Sequence, residues 1–190
     1  MKHSTIPTSS SKPVIECGVG IAEVKVGMSI AELFEILGEA GIKKTFEEEI
    51  EGFDGYEKFL QFVIGFDYRI EYTNDSSPSY PIFKVWIKED KLIAFMLSSY
   101  GVGVFDLDFC KRFQTESHLH IGDPIDKLTA IYGEPLHIHS YSPHANYIYP
   151  QLGAGFVCNT DTNTFRSVYI FDKTDAVLVN KIKDFYRETT

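Results

Sequence analysis

Five of the six histidines lie between His118 and His144, and they include two HxH pairs, His118-Leu119-His120 and His137-Ile138-His139, with His144 close behind. On a β-strand residues i and i+2 point to the same face, so each pair can present two imidazoles to one metal ion. Zinc or iron is the chemistry that such a set implies, in a metal-dependent enzyme or a metal-binding domain. A carboxylate a few residues further on would complete the ligands, yet the stretch from Ser140 to Pro150 contains none. The competing reading is a polar sheet face whose histidines touch solvent or a partner, and whose binding would respond to pH because free imidazoles titrate near 6.5.

Other reactive groups give less. Cys17, Cys110 and Cys158 are scattered, without CxxC or His spacing, and read as small buried apolar groups in a protein of a reducing compartment. That usage points to the cytoplasm. Glu71 with Asp67 could do acid–base work only in a cleft. Their alternation with Phe66, Tyr68 and Tyr72 fits a solvated strand face better. Ser98 and Ser99 have no base in readable register, and the GVG segments at Gly18–Gly20 and Gly101–Gly103 lack the GxGxxG continuation, which makes them turns or bulges. No catalytic residue, cofactor or resident metal is expected.

The elements that position these groups come from an internal likeness. Val26 to Glu39 and Ile121 to Glu134 align without a gap, with Gly27/Gly122, Ile30/Ile125, Leu33/Leu128, Ile36/Ile131, Gly38/Gly133 and Glu39/Glu134 identical. In the first copy Ser29 and Glu32 form a capping box, Ile30, Leu33, Ile36 and Leu37 recur at helical spacing, and Gly38 supplies a left-handed stop. In the second, Asp123 can cap, Pro124 takes the first helical position, and Gly133 ends the helix before Pro135. Alternating patterns follow each helix. Strands are predicted near Phe59–Ile64, Asp67–Thr73, Ile82–Lys88 and Lys91–Ser98, then near Leu136–Tyr141, Tyr147–Tyr149, Gly155–Asn159 and Phe165–Phe171. Turns are predicted at Glu89-Asp90 and Asn159–Asn163, and a helix at Asp175–Arg187.

The expected fold is α+β: a tandem repeat of a short helix followed by an antiparallel β-meander, joined into one sheet with helices on one face. Its boundaries are a flexible segment 1–13, a first unit 14–113, and a second unit 114–190 that includes the C-terminal helix, all in one compact body. The apolar-x-apolar-Gly lead-in, the capped short helix, the terminal Gly-Glu and the aromatic-rich strands resemble the repeats of the β-lactamase inhibitory protein and of small outer-membrane assembly lipoproteins of the SmpA/OmlA type. No lipobox lies near the start, and no cysteines pair as in the inhibitor. What the resemblance implies is a concave sheet that grips another protein.

Charge agrees with that implication. With 18 basic against 27 acidic residues the net charge is −9, which opposes adhesion to nucleic acid or anionic lipid and favours a basic partner. Phe46 to Glu57 concentrates Glu47, Glu48, Glu49, Glu51, Asp54 and Glu57 with no Lys or Arg among them. No apolar run approaches the roughly 20 residues of a membrane span. The expected function is therefore a non-enzymatic protein-binding module, of inhibitor or immunity type, that masks a basic protein. Glu47, Glu48, Glu49, Glu51 and Asp54 would steer the encounter, and Tyr141, Tyr147 and Tyr149 would anchor it.

Overall fold

A computed structural model describes residues 14–39, 42–45, 65–73, 81, 83–98 and 113–188. It is an α+β fold with mostly antiparallel strands. Val14–Glu16 (β1), Gly20–Ile21 (β2), Val24–Lys25 (β3) and Gln114–Thr115 (β8) form a small sheet in the order β3-β2-β1-β8, in which β8 runs parallel to β1. The main sheet contains Ile42–Thr45 (β4), Tyr68–Tyr72 (β5), Phe83–Lys88 (β6), Lys91–Ser98 (β7), His137–Tyr141 (β9), His144–Tyr149 (β10), Ala154–Asn159 (β11) and Thr164–Phe171 (β12). Among the described residues its order is β4-β5-β6-β7-β12-β11-β10-β9, so β7 and β12 meet at the centre and β4 and β9 stand at the ends. Among the described residues the helices are Ile30–Leu37 (α1), Ile125–Tyr132 (α2) and Ala176–Glu188 (α3).

Alternation along the central strands divides the core between two faces. Val85, Phe95, Leu97, Phe156, Phe165, Val168 and Ile170 face one side, where Leu33 and Leu37 of α1 and Ile125 and Leu128 of α2 bury against them. Ile15, Cys17, Ile21 and Val24 of the small sheet and its first turn complete that core. Trp86, Ala94, Met96, Tyr169 and Phe171 face the opposite side, under Leu178 and Ile182 of α3. Two features correct the expectation from sequence. The third helix lies across the sheet from the other two, and a second sheet exists, built from strands too short to show a period.

The junctions between helix and sheet use the same contacts twice. Gly27 N–H donates to Leu92 O at 2.7 Å and Gly122 N–H to Phe165 O at 2.8 Å. Ile30 N–H donates to Asp90 O, and Ile125 N–H to Asn163 O. Thus the first turn of each helix is pinned to a hairpin: Glu89 and Asp90 have φ of 49° and 58°, and Asn163 has 50°. Both helices end at a glycine, Gly38 at φ 77°, ψ 168° and Gly133 at φ 78°, ψ −165°. This is not the left-handed helical stop expected but a more extended positive-φ conformation that is almost exclusive to glycine.

Capping differs between the two. Ser29 Oγ accepts from Glu32 N–H and the Glu32 carboxylate accepts from Ser29 N–H at 2.8 Å, the reciprocal box read from sequence. In α2 the cap residue is Pro124, which has no side-chain acceptor. Asp123 turns its carboxylate back to His120 N–H at 2.8 Å and to Lys127 Nζ at 2.6 Å.

Candidate binding surface

The histidines fall into two places. His137 and His139 share one face of β9, their rings 6.4 Å apart and inclined at 28°. Asn146 and Ile148 of β10 stand opposite them, and His144 stands opposite Tyr141 on the same face. The HLH pair is not on a strand. His118 lies exposed in the connection from β8 to α2 with φ 61°, while His120 Nδ1 is 3.7 Å from Asp123 Oδ2. Among the described residues no group of three or more His, Cys, Asp or Glu is placed to hold a metal ion. Among the described residues the HIH pair brings together two imidazoles and no third ligand. Burial lowers the titration of His137, with His139 adding to the effect. Burial and then Arg166 lower that of His144, against an opposing pull from Asp161.

The tyrosines proposed as anchors separate as well. Tyr141 lies in β9. Tyr147 is half-buried, packs against the core under α2, and has Ile138 as its cross-strand neighbour. Tyr149 is a correction: it is fully buried against Tyr132 and Phe156, and its hydroxyl donates to Gly133 O at 2.9 Å, so it belongs to the core. Glu47, Glu48, Glu49, Glu51 and Asp54 lie outside the described residues, as does Cys110.

Several described groups capable of covalent or acid–base chemistry are buried or hydrogen-bonded within the fold. Cys17 and Cys158 are buried and free of disulfides, and burial pushes both thiols up to about 12, so neither forms a thiolate near neutrality. Glu71 is not on a solvated face as read from sequence. It is buried, and its carboxylate meets Arg69 Nη2 at 2.7 Å two residues earlier on β5. Removing one member would leave a buried charge, so the pair is a fixed structural unit. Asp67, the carboxylate expected beside it, is exposed and accepts the Glu89 N–H of the turn. Ser167 Oγ donates to Ser98 Oγ at 2.9 Å across the buried centre of the sheet.

One surface was missed by reading residue types alone. From Pro135 to Thr160, a stretch that contains β9, β10 and β11, there is no Asp, Glu, Lys or Arg. In a chain with 24% charged residues that is a long neutral run. At its outer end Leu136 and Ile138 are each 44% exposed, and with Val177 they are the exposed large apolar residues described. The signal was in the sequence, but its meaning depended on β9 standing at an end of the sheet.

No family model, curated protein or solved structure matches this chain. No helix among the described residues is long and apolar enough to cross a membrane.

Proposed function

We propose that this chain is a protein-binding module, of inhibitor or immunity type, built on a duplicated helix-plus-meander unit and directed at a basic partner. The observation that carries the reading is the recurrence of the junction contacts, Gly27–Leu92 with Gly122–Phe165 and Tyr72–Gly38 with Tyr149–Gly133, in two halves whose strands share one sheet. A platform of that kind is what the resemblance to inhibitory tandem repeats implies. It is rigid because each helix is tied at both ends, and a rigid surface binds with a reduced ordering cost.

The division of labour follows from charge. The acidic segment Glu47, Glu48, Glu49, Glu51 and Asp54 steers a positively charged protein, and Tyr141 and Tyr147, at the neutral end of the sheet, supply contact area; Tyr149 drops out of that set because it is core. Steering of this kind raises the association rate and makes it sensitive to salt. Capture of the partner from its native cell, followed by kinetics with the purified pair, tests the reading. A partner whose association does not depend on ionic strength would count against it, and one whose association slows with salt would support it.

A further inference from the structure

Among the described residues β9 stands at one end of the main sheet and β4 at the other. β4 pairs with β5 and contains no histidine, so a strand in that place does not require imidazoles. In β9 two of them share one face, His137 opposite Ile148 and His139 opposite Asn146. Ile148 and Asn146 are each 1% exposed, whereas His137 is half-buried and His139 is exposed.

Alternate residues of a strand stand about 6.8 Å apart with their side chains projecting the same way, which leaves between two rings a gap that one ion can fill. The ring centres of His137 and His139 are 6.4 Å apart and the planes are inclined at only 28°. A zinc-like ion lies about 2.0–2.1 Å from each ligating nitrogen, and a tetrahedral pair of imidazoles then has its ring centres about 5 Å apart. Small side-chain rotations that leave the backbone in place close a difference of that size. We infer that His137 and His139 form a two-imidazole site for one divalent ion of the zinc or copper class, exchangeable and with its remaining coordination positions open.

The donor set selects the ion. Imidazole suits zinc and copper, whereas magnesium and calcium take oxygen ligands. From Pro135 to Thr160 there is no Lys or Arg to oppose a cation, and the chain as a whole carries −9. Asn146, beside His139, has a side-chain carbonyl of the kind that orients a ligating imidazole through its second N–H. Among the described residues no third His, Cys, Asp or Glu joins the pair. Water or a ligand from another molecule therefore completes the shell, unlike a closed structural site. The other HxH pair lacks this arrangement: His118 sits off any strand at φ 61°, and His120 Nδ1 lies 3.7 Å from Asp123 Oδ2. The inference does not depend on the partner-binding reading.

Zn2+ alone, added to the full chain up to about 1 mM while the imidazole nitrogens are followed by NMR, tests it. The ring nitrogens of His137 and His139 are expected to shift together and to saturate at one ion, with those of His118 and His120 moving less. His139→Gln should weaken the binding read at His137 by about 10²-fold, because the second imidazole no longer acts at the effective concentration that the strand sets. His137→Gln should do the same to the binding read at His139. Since His139 is exposed, its variant should keep the far-ultraviolet spectrum of the wild type. Rings of His137 and His139 that do not respond over that range would overturn the proposal. So would rings that respond independently, each with an unchanged affinity when the other is replaced.

Discussion

The hydroxyl of Tyr149 donates to the carbonyl of Gly133, the residue that ends α2, at 2.9 Å, and Tyr72 makes the same bond to Gly38 at the end of α1, at 3.3 Å. Each tyrosine leaves a strand of the main sheet to hold a helix terminus whose carbonyls have no partner within the helix. The ring supplies buried area and the hydroxyl fixes the helix end. Tyr149→Phe keeps the ring and removes the bond, and is expected to lower stability by about 1 kcal/mol in urea unfolding. Tyr72→Phe should act in the same direction and no more strongly, its bond being longer.

Gly38 and Gly133 have open space around the position that a Cβ would occupy, but their φ values near 78° are paired with extended ψ. Alanine at either site would meet no neighbour and would still be strained by its own backbone. The expected cost is about 1–3 kcal/mol for each of Gly38→Ala and Gly133→Ala, measured by thermal or urea unfolding. A crowding explanation would require no loss here, since nothing is crowded.

Gly155 offers the opposite case. A Cβ there would fall on the ring of Tyr169, which crosses the glycine from β12 to β11. Gly155→Ala should destabilise by about 1–3 kcal/mol through overpacking. Combining it with Tyr169→Leu should give a loss smaller than the sum of the two single losses, because the clash then disappears. Urea unfolding of the four proteins in that cycle checks the coupling.

Much of this framework could be read from local pattern. The capping box at Ser29 and Glu32, the glycine ends of α1 and α2, the β6–β7 hairpin and the strands of the second half all follow from spacing within a dozen residues. What escaped was set by distant partners. The small sheet joins Ile15 to Thr115 in strands of two or three residues, too short for alternation to be visible. Tyr149 and Tyr147 are both tyrosines two positions apart on one strand, and only the packing of Tyr132 and Phe156 determines that Tyr149 is sealed in. The spacing of Glu71 suggests Asp67 as its companion, whereas its ion-pair partner is Arg69, two residues away on the same strand. Leu136 and Ile138 are exposed where the strand order of the described residues leaves β9 outermost, which no local pattern encodes.

Acid should weaken the fold in two stages. His137 and His144 titrate below their ordinary value of 6.5, first because burial disfavours their charged forms, so they contribute stability above that pH and lose it as the pH falls through their folded-state values. Burial pushes the Asp123 carboxyl up, but the His120 N–H and Lys127 ammonium more than offset this, leaving it below its ordinary 3.8. Its contribution is therefore complete above that value and lost below it. Urea midpoints across pH 3–7 are expected to fall first through the histidine range and again in stronger acid. His144→Gln should flatten the first limb and Asp123→Asn the second.

Cys17 and Cys158 should be silent in the native state. With Cys17 and Cys158 buried and both pushed up to about 12, iodoacetamide at pH 7.5 should label neither at a rate above that of global unfolding. Peptide mass spectrometry with and without urea checks this, and labelling of Cys17 without denaturant would mean that the contact of Lys173 Nζ with Cys17 O opens in the folded protein.

Recognition of a basic protein is tested most directly by the association rate with the captured partner as a function of ionic strength, for the wild type and for a variant in which Glu47, Glu48, Glu49 and Glu51 are all replaced by Gln. The expected result is a wild-type rate that falls steeply with salt and a variant rate that is lower at low salt and nearly flat. Equal rates and equal salt dependence for the two proteins would contradict it.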